Sequence, residues 1–357
     1  MKIGIVGLPA SGKTTLFNAL TGGAARTGGY GPAQVHVGVA KVADPRVDGL
    51  AAVFRPKKTV YATVDFADVP ALEGSESGRA QAEAIHPALE GADALLLVVR
   101  GFADPGVPHP RQSVTPARDL EDGRLELILR DLSVVENRVE RLEKSVLKKK
   151  DPEEEAELAL LRRVEAALGE GAPVSAQGLS AEESLRLRGF GFLSAKPLLV
   201  VVNVGEEQAG EAPAALGVEP AEGEEPPVVL CARLEEELAE LPDEEMADFL
   251  SDYGLESPAR ERVIRASFSL LDLRSFLTVG EDEVRAWTIR GGTRALRAAG
   301  VIHSDLERGF IRAEVISYES FMEAGSMAAA RDRGTLRLEG KEYEVRDGDI
   351  FRVRFNV

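Results

Sequence analysis

The sequence predicts an α/β protein: a mostly parallel sheet carrying an inserted antiparallel helical hairpin, followed by a smaller β-rich module. Three observations predict it. The apolar run Lys2–Val6 leads into a glycine-bounded loop and then into Leu16, Phe17 and Leu20 at helical spacing. Two further short runs, Ala94–Val99 and Leu198–Val202, are wholly apolar, as strands covered on both faces of a parallel sheet are. Between those runs Leu125, Ile128, Leu132, Val135, Val139, Leu142 and Val146 follow the 3-4 spacing of one seam on a long helix.

The N-terminal loop reads Gly7-Leu8-Pro9-Ala10-Ser11-Gly12-Lys13-Thr14-Thr15, which is G-x-x-x-x-G-K-[ST] in its strand-to-helix setting. Glycines at 7 and 12 let the backbone curl until successive N–H groups point at one centre, where they suit phosphate oxygens. Lys13 is expected to reach the β- and γ-phosphates and the Thr14 hydroxyl to ligate Mg²⁺, while the helix N-terminus adds favourable partial charge. Gly7, Pro9, Ala10, Ser11, Gly12, Lys13, Thr14 and Thr15 are therefore the expected polyphosphate contacts. A nucleoside di- or triphosphate is the ligand they imply.

At 357 residues the chain is expected to hold two or three domains, and 44% hydrophobic with 29% charged residues is the composition of a soluble globular protein. No apolar run approaches the roughly 18 residues that a membrane span needs. The first strand begins at once, leaving no room for a signal peptide, and the one cysteine, Cys231, excludes an internal disulfide framework. A cytoplasmic, membrane-free protein, expected to be a monomer, follows. Between Gly205 and Glu256 there are 17 acidic residues against Arg233 alone, so nearly all of the net charge of −17 sits in that segment. The acidic total therefore does not exclude RNA contact elsewhere.

Val35, Val37 and Val39 alternate as a strand, and Asp44-Pro45-Arg46 turns into a helix over Val47–Phe54. A threonine closing over the γ-phosphate belongs before that turn, but Thr27 is the only one between Thr21 and Thr59, and nothing around it marks it for the task. Val60–Ala67 is expected as one strand ending at Asp68, the assigned second partner of Mg²⁺ through water, with Asp65 the alternative. Ala71 stands where a switch glycine would offer its N–H, and Leu72 where a glutamine would orient the attacking water. After the hairpin's first helix, Lys148-Lys149-Lys150 and Asp151-Pro152 break the chain, and Leu158, Leu161, Val164 and Leu168 begin the return helix. The basic tip reads either as a solvated helix end or as an arm touching RNA or a partner.

The run ending at Val202 delivers Asn203-Val204-Gly205-Glu206, where guanine-selecting proteins carry Asn-Lys-x-Asp. Val204 removes the lysine stem, and Glu206 is one methylene too long for the two-bond guanine pose, so guanine selectivity should be weak. Asn203, Val204 and Glu206, with backbone at Cys231 and Ala232, are the expected base contacts. Cys231 itself reads as a small buried residue. Beyond about Arg274 the runs Phe276–Val279, Val284–Ile289, Gly309–Ser317, Thr335–Leu338, Glu342–Val345 and Ile350–Phe355 suggest short strands, with a helix near Arg294–Ala299 and a turn at Asp347-Gly348.

Taken together, the chain resembles the YchF family of Obg-related P-loop NTPases along its whole length. The likeness rests on Gly4-Ile5-Val6-Gly7-Leu8-Pro9, Asp44-Pro45-Arg46, Asp68 and the Asn203/Glu206 turn, and at the C-terminal end on Val284–Ile289, Ala298-Ala299-Gly300, Gly309–Glu314 and Phe355-Asn356-Val357. It implies a G domain (1–115 and 193–273), a helical insertion (116–192) and a β-grasp TGS-like domain (274–357). It further implies preference for ATP over GTP, a hydrophobic residue (Leu72) replacing the catalytic glutamine beside Lys13 and Asp68, and association with ribosomes. The departures are Ala10, where the family has asparagine as a potential monovalent-cation ligand, the missing switch threonine, whose place falls near Pro32, and Ala71. A slow ATPase/GTPase switch is the function expected, reaching the ribosome or its RNA through the hairpin and TGS-like domain. A nucleotide-binding scaffold with little hydrolysis is the alternative. A P-loop kinase fits less well, because no arginine-rich lid is visible.

Overall fold

The computed structural model describes residues 1–23, 25, 35–70, 88–148, 151–221, 223–241, 243–252 and 257–356. Thr27, Pro32, Ala71, Leu72, Lys149, Lys150 and Val357 lie outside the described residues. In chain order the elements are β1 (Lys2–Val6), α1 (Lys13–Thr21), β2 (His36–Lys41), α2 (Pro45–Phe54), β3 (Lys58–Val60), β4 (Thr63–Asp68) and β5 (Ala94–Arg100). Then come α3 (Pro116–Lys148), α4 (Pro152–Gly169), α5 (Ala181–Leu187), β6 (Leu198–Asn203), β7 (Val228–Leu230), α6 (Ala232–Glu240), α7 (Asp243–Asp252) and α8 (Ala259–Leu270). The rest is β8 (Leu273–Thr278), β9 (Glu283–Arg290), α9 (Ala295–Ile302), α10 (Ser304–Arg308), β10 (Phe310–Ser317), α11 (Tyr318–Ala324), α12 (Met327–Asp332), β11 (Arg337–Glu339) and β12 (Asp349–Phe355).

The chain divides into two compact units, Met1–Val39 with Asp65–Ala266, and Ala40–Val64 with Ser267–Val357. The first is built on a sheet of order β2-β4-β1-β5-β6-β7. β1 pairs in parallel with both β4 and β5, and β5–β6 and β6–β7 are parallel too. Connections from β1 therefore lead to opposite sides, and the crevice at its carboxyl end is where such sheets bind ligands. All seven residues of β5 are buried, the apolar run Ala94–Val99 as a strand covered on both faces demands, and Arg100 after it.

Helix α3 is about 50 Å long at 1.5 Å per residue, and it changes partner part-way. Leu120 and Leu127 join the sheet core, and Gly123 admits Leu97, whose Cδ1 would lie 2.9 Å from an added Cβ. Beyond that point Ile128, Val135, Val139 and Leu142 pack on Leu160, Leu161, Val164 and Leu168 of α4. Leu125 departs from the predicted seam and is 46% exposed, because the residues around it still face the sheet rather than α4. The expected break is where the sequence puts it: Asp151 caps α4 by accepting from Glu153 N–H at 3.0 Å, with Pro152 in the first turn.

The second unit holds a sheet of order β11-β10-β12-β8-β9-β3 around Phe276, Ile289, Phe310, Val315 and Phe351. Phe276 and Phe351 meet edge-on with centroids 5.4 Å apart. Val60–Ala67 is not one strand. It breaks at Tyr61-Ala62, β3 pairing in parallel with β9 and β4 with β1, so its two halves serve different sheets. Alternation alone cannot show this, since both halves obey it. Glu342–Val345 is not a strand either: it makes a single bridge, Glu344 to Arg294, and its backbone bonds to the segment entering α9 instead. The Asp347-Gly348 turn, with Gly348 at φ +80°, consequently leads into β12 without closing a two-stranded hairpin.

The Asp-Pro-Arg motif has a structural explanation in this unit. Asp44 caps α2 through Arg46 N–H at 3.0 Å, and the Arg46 side chain returns to both Asp44 oxygens at 2.9 Å each. Its remaining Nη1 reaches Asp347 at 2.7 Å, and the other oxygen of Asp347 accepts from Ser275 N–H. Arg46→Ala strands the buried Asp44 carboxylate and should cost the second unit about 1–3 kcal/mol, read as a lower urea midpoint. Arg46→Lys should recover only part, since lysine lacks the planar fork.

Candidate nucleotide-binding site

Ile5 of β1 lies opposite Asp68 of β4, so the loop after β1 and the Asp68 carboxylate emerge side by side. Gly7 (φ +148°) and Gly12 (φ +91°) take conformations that L side chains rarely adopt. A Cβ at Gly7 would strike the Val98 carbonyl, and one at Gly12 the Asn203 amide. Ala10 is also left-handed, at φ +59°, which costs a residue with a Cβ about 1–2 kcal/mol. Gly12 caps α1 without a side-chain acceptor, so the first N–H groups of that helix are open to an anion.

Lys13 is 8% exposed and donates to the carbonyls of Gly7 at 3.0 Å and Leu8 at 2.9 Å. Burial pulls its ammonium down to about 8, against the opposing pull of the Asp68 charge. Thr14 Oγ1 donates to Asp68 Oδ2 at 2.8 Å, and Asp68 is buried. A threonine hydroxyl and a carboxylate are hard oxygen donors that could hold Mg²⁺, which takes few protein ligands and completes its octahedron with phosphate and water. Among the described residues no group of three or more His, Cys, Asp and Glu could hold a metal by itself. Pro9 and Thr15 are half-buried beside this corner. Ser11 is buried, its Oγ without a hydrogen-bond partner among the described residues.

On the base side the structure redistributes the predicted roles. Asn203 Nδ2 donates to the Ser11 carbonyl at 3.0 Å, and its Oδ1 accepts from Ala232 N–H at 2.9 Å. Asn203 thus ties the phosphate loop to the turn between β7 and α6, and the Ala232 N–H is spent on it rather than offered to a base. Val204 does not line a base slot: it is 2% exposed and packs in the sheet core. Residues two apart along extended chain share a face, so Val204 follows Val202 into the same core cluster, both of them against Gly101. Glu206 is exposed at the start of a short 3₁₀ turn. Cys231 is buried, and burial pushes its thiol above the usual range.

Three features had no signal in the motif pattern. His36 opens β2 with Nδ1 3.6 Å from Asp68 Oδ2. Arg100 ends β5, is 2% exposed, and gives its guanidinium to the carbonyls of Phe102 at 3.1 Å, Val107 at 2.8 Å and Ala10 at 3.4 Å. His109 Nε2 meets Asp119 Oδ2 at 2.8 Å, while Arg118 holds the other oxygen. An arginine closing an apolar run reads as a solvated strand end, and lone histidines in β2 or a proline-rich loop have no spacing to mark them.

Comparison with known proteins fixes the family. The 50S ribosome-binding GTPase model (MMR_HSR1) matches residues 2–138, and the YchF GTPase C-terminal model, described as a protein of unknown function (DUF933), matches residues 273–356. The ribosome-binding ATPase YchF of Bacillus subtilis (strain 168) is 40% identical over 362 residues, covering 99% of each chain. The chain belongs to the YchF family. Obg-like ATPase 1 of Oryza sativa subsp. japonica is 34% identical across all of this chain and 92% of its own. Among solved structures, the YchF GTPase of Schizosaccharomyces pombe matches with a TM-score of 0.82 at 29% identity, over 99% of this chain and 97% of that one. The α/β architecture with its helical insertion and C-terminal module is thus the YchF fold.

The Asn203 tie separates two roles by experiment. Asn203→Ala leaves the Ser11 carbonyl and Ala232 N–H unpaired, and should lower stability by about 2–4 kcal/mol without any nucleotide present. A side chain that only contacted a base would leave thermal unfolding of the free protein unchanged.

Proposed function

We propose that this YchF-family chain is a slow, magnesium-dependent purine nucleoside triphosphatase that favours ATP over GTP and acts in the cytoplasm as a ribosome-associated conformational switch. One observation carries most of the weight: Thr14 Oγ1 and Asp68 Oδ2 lie 2.8 Å apart beside the buried Lys13 ammonium, at the mouth of the glycine-bounded curl. The loop N–H groups and the open end of α1 bind and orient the polyphosphate. Lys13 exchanges the Gly7 and Leu8 carbonyls for β- and γ-phosphate oxygens, where its charge offsets what develops in transfer to water. Thr14, and Asp68 through water, would hold Mg²⁺, which when bound would neutralise charge on the phosphate oxygens.

Slowness follows from side chains the sequence lacks. Leu72 cannot orient water through a hydrogen bond, so backbone groups or a partner must do so. Base preference rests on Glu206, whose exposed carboxylate accepts from the exocyclic amine of adenine, while no lysine stem covers guanine at Val204. Relatives named ribosome-binding ATPases over nearly the full length support the ribosome as partner. The helical hairpin, tipped by Lys144 and Lys148, and the TGS-like C-terminal unit are the surfaces we assign to it, with the protein as a monomer.

Single-turnover assays with ATP and GTP, with and without ribosomes, should give slow hydrolysis that Lys13→Ala lowers at least tenfold. An unchanged rate in Lys13→Ala removes the assignment, and turnover equal to buffer in every condition leaves a nucleotide-binding scaffold instead.

The lowered Lys13 pKa gives a pH signature. Only the protonated amine grips phosphate, and the free protein loses that proton near pH 8. ADP affinity should therefore fall as pH rises from 7 to 9.5, and binding at pH 8 should take up part of a proton, read by calorimetry in buffers of different ionisation heat. Lys13→Met should flatten both.

A further inference from the structure

We propose that His36 is a positioning residue of the metal corner, its Nδ1 accepting a hydrogen bond from a water of the bound ion's hydration shell. This role rests on the assignment of Thr14 and Asp68 to Mg²⁺. Strand β2 turns its valines outward, Val37 at 60% and Val39 at 52% exposure, which puts His36, Gly38 and Ala40 on the other face, Ala40 buried and the His36 side chain 38% exposed. Gly38 makes the close approach possible, since a Cβ there would come within 2.8 Å of Thr21 and 2.9 Å of Phe17. The His36 ring consequently lies beside Phe17, centroids 6.3 Å apart.

Nδ1 of His36 is a buried atom with no hydrogen-bond partner among the described residues, and it stands 3.6 Å from Asp68 Oδ2. That separation is too long for a hydrogen bond. The same Oδ2 already accepts from Thr14 Oγ1. Three polar atoms from β2, β4 and α1 thus converge on one small volume, and one of them lacks a donor. A hydrated divalent ion supplies what is missing: its charge faces Asp68 and its water protons face Nδ1. Mg²⁺ keeps several waters and takes imidazole poorly as a direct ligand, so His36 acts from the outer shell. Outer-shell groups of this kind commonly alter metal affinity tenfold or more. The position also fits the gap in the sequence, because β2 follows the segment where no threonine is marked to close over the ion.

The test is Mg²⁺ titration of the full-length protein saturated with a fluorescent ADP, for wild type, His36→Ala and His36→Asn. His36→Ala should bind Mg²⁺ about tenfold more weakly, and His36→Asn, whose amide oxygen takes the place of Nδ1, should restore most of the affinity. ADP affinity in EDTA should be the same in all three. Wild-type Mg²⁺ affinity in His36→Ala overturns the proposal, as does an equal loss of ADP affinity in EDTA, which would mark His36 as a packing residue. Thr14→Ala and Asp68→Asn, run alongside, separate the two levels: if neither weakens Mg²⁺ binding, the metal assignment itself falls.

Discussion

A row of backbone N–H groups can face one point only if the chain curls back on itself, and that curl must survive without an anion inside it. Packing around the loop supplies the restraint. Val98 leaves no room for a Cβ at residue 7 and Asn203 none at residue 12, while Asn203 and Arg100 hold the Ser11 and Ala10 carbonyls from outside. The hollow is held open by strands β5 and β6, whose apolar runs exist to be buried. Core and site are therefore one construction: the side chains that make the sheet rigid deliver Arg100 and Asn203 at its carboxyl edge.

The cost of that arrangement falls on Lys13. Its ammonium is desolvated with only two carbonyls as described hydrogen-bond partners, and its lowered pKa records the penalty. An unfolded chain would hold the proton up to the ordinary lysine range. Between about pH 8 and that range the unfolded state binds more protons, so the Lys13 contribution to stability rises with pH. A phosphate group reverses the situation by giving the charge a partner. Stability is surrendered at a site that a ligand restores, the usual exchange at functional residues.

Much of this was legible in the sequence because short-range rules govern it. The phosphate loop, Thr14 with Asp68, the break at Asp151-Pro152 and most strands follow from spacing, turn chemistry and apolar runs. What escaped depends on where the chain goes next. Val204 looks like a replaced base contact, yet it shares the buried face of Val202 and packs in the core, and Ala232 N–H looks free until Asn203 arrives from 29 residues earlier. His36 and Arg100 acquire meaning only from neighbours distant in sequence, Asp68 and Ala10.

The division of Val60–Ala67 between two sheets bears on function. The chain leaves the first unit after Val39 and re-enters it at Asp65, and the intervening segment carries α2 and β3 as parts of the second unit. His36 lies shortly before that departure and Asp68 shortly after that return. Both sides of the proposed metal corner are thus joined by a few covalently linked residues to a segment fixed by Arg46 to Asp347 and by β3 to β9. One continuous stretch of backbone therefore connects the proposed metal corner to a segment that pairs within the second sheet. Splitting the strand at Tyr61-Ala62 is what allows one segment to serve both sheets.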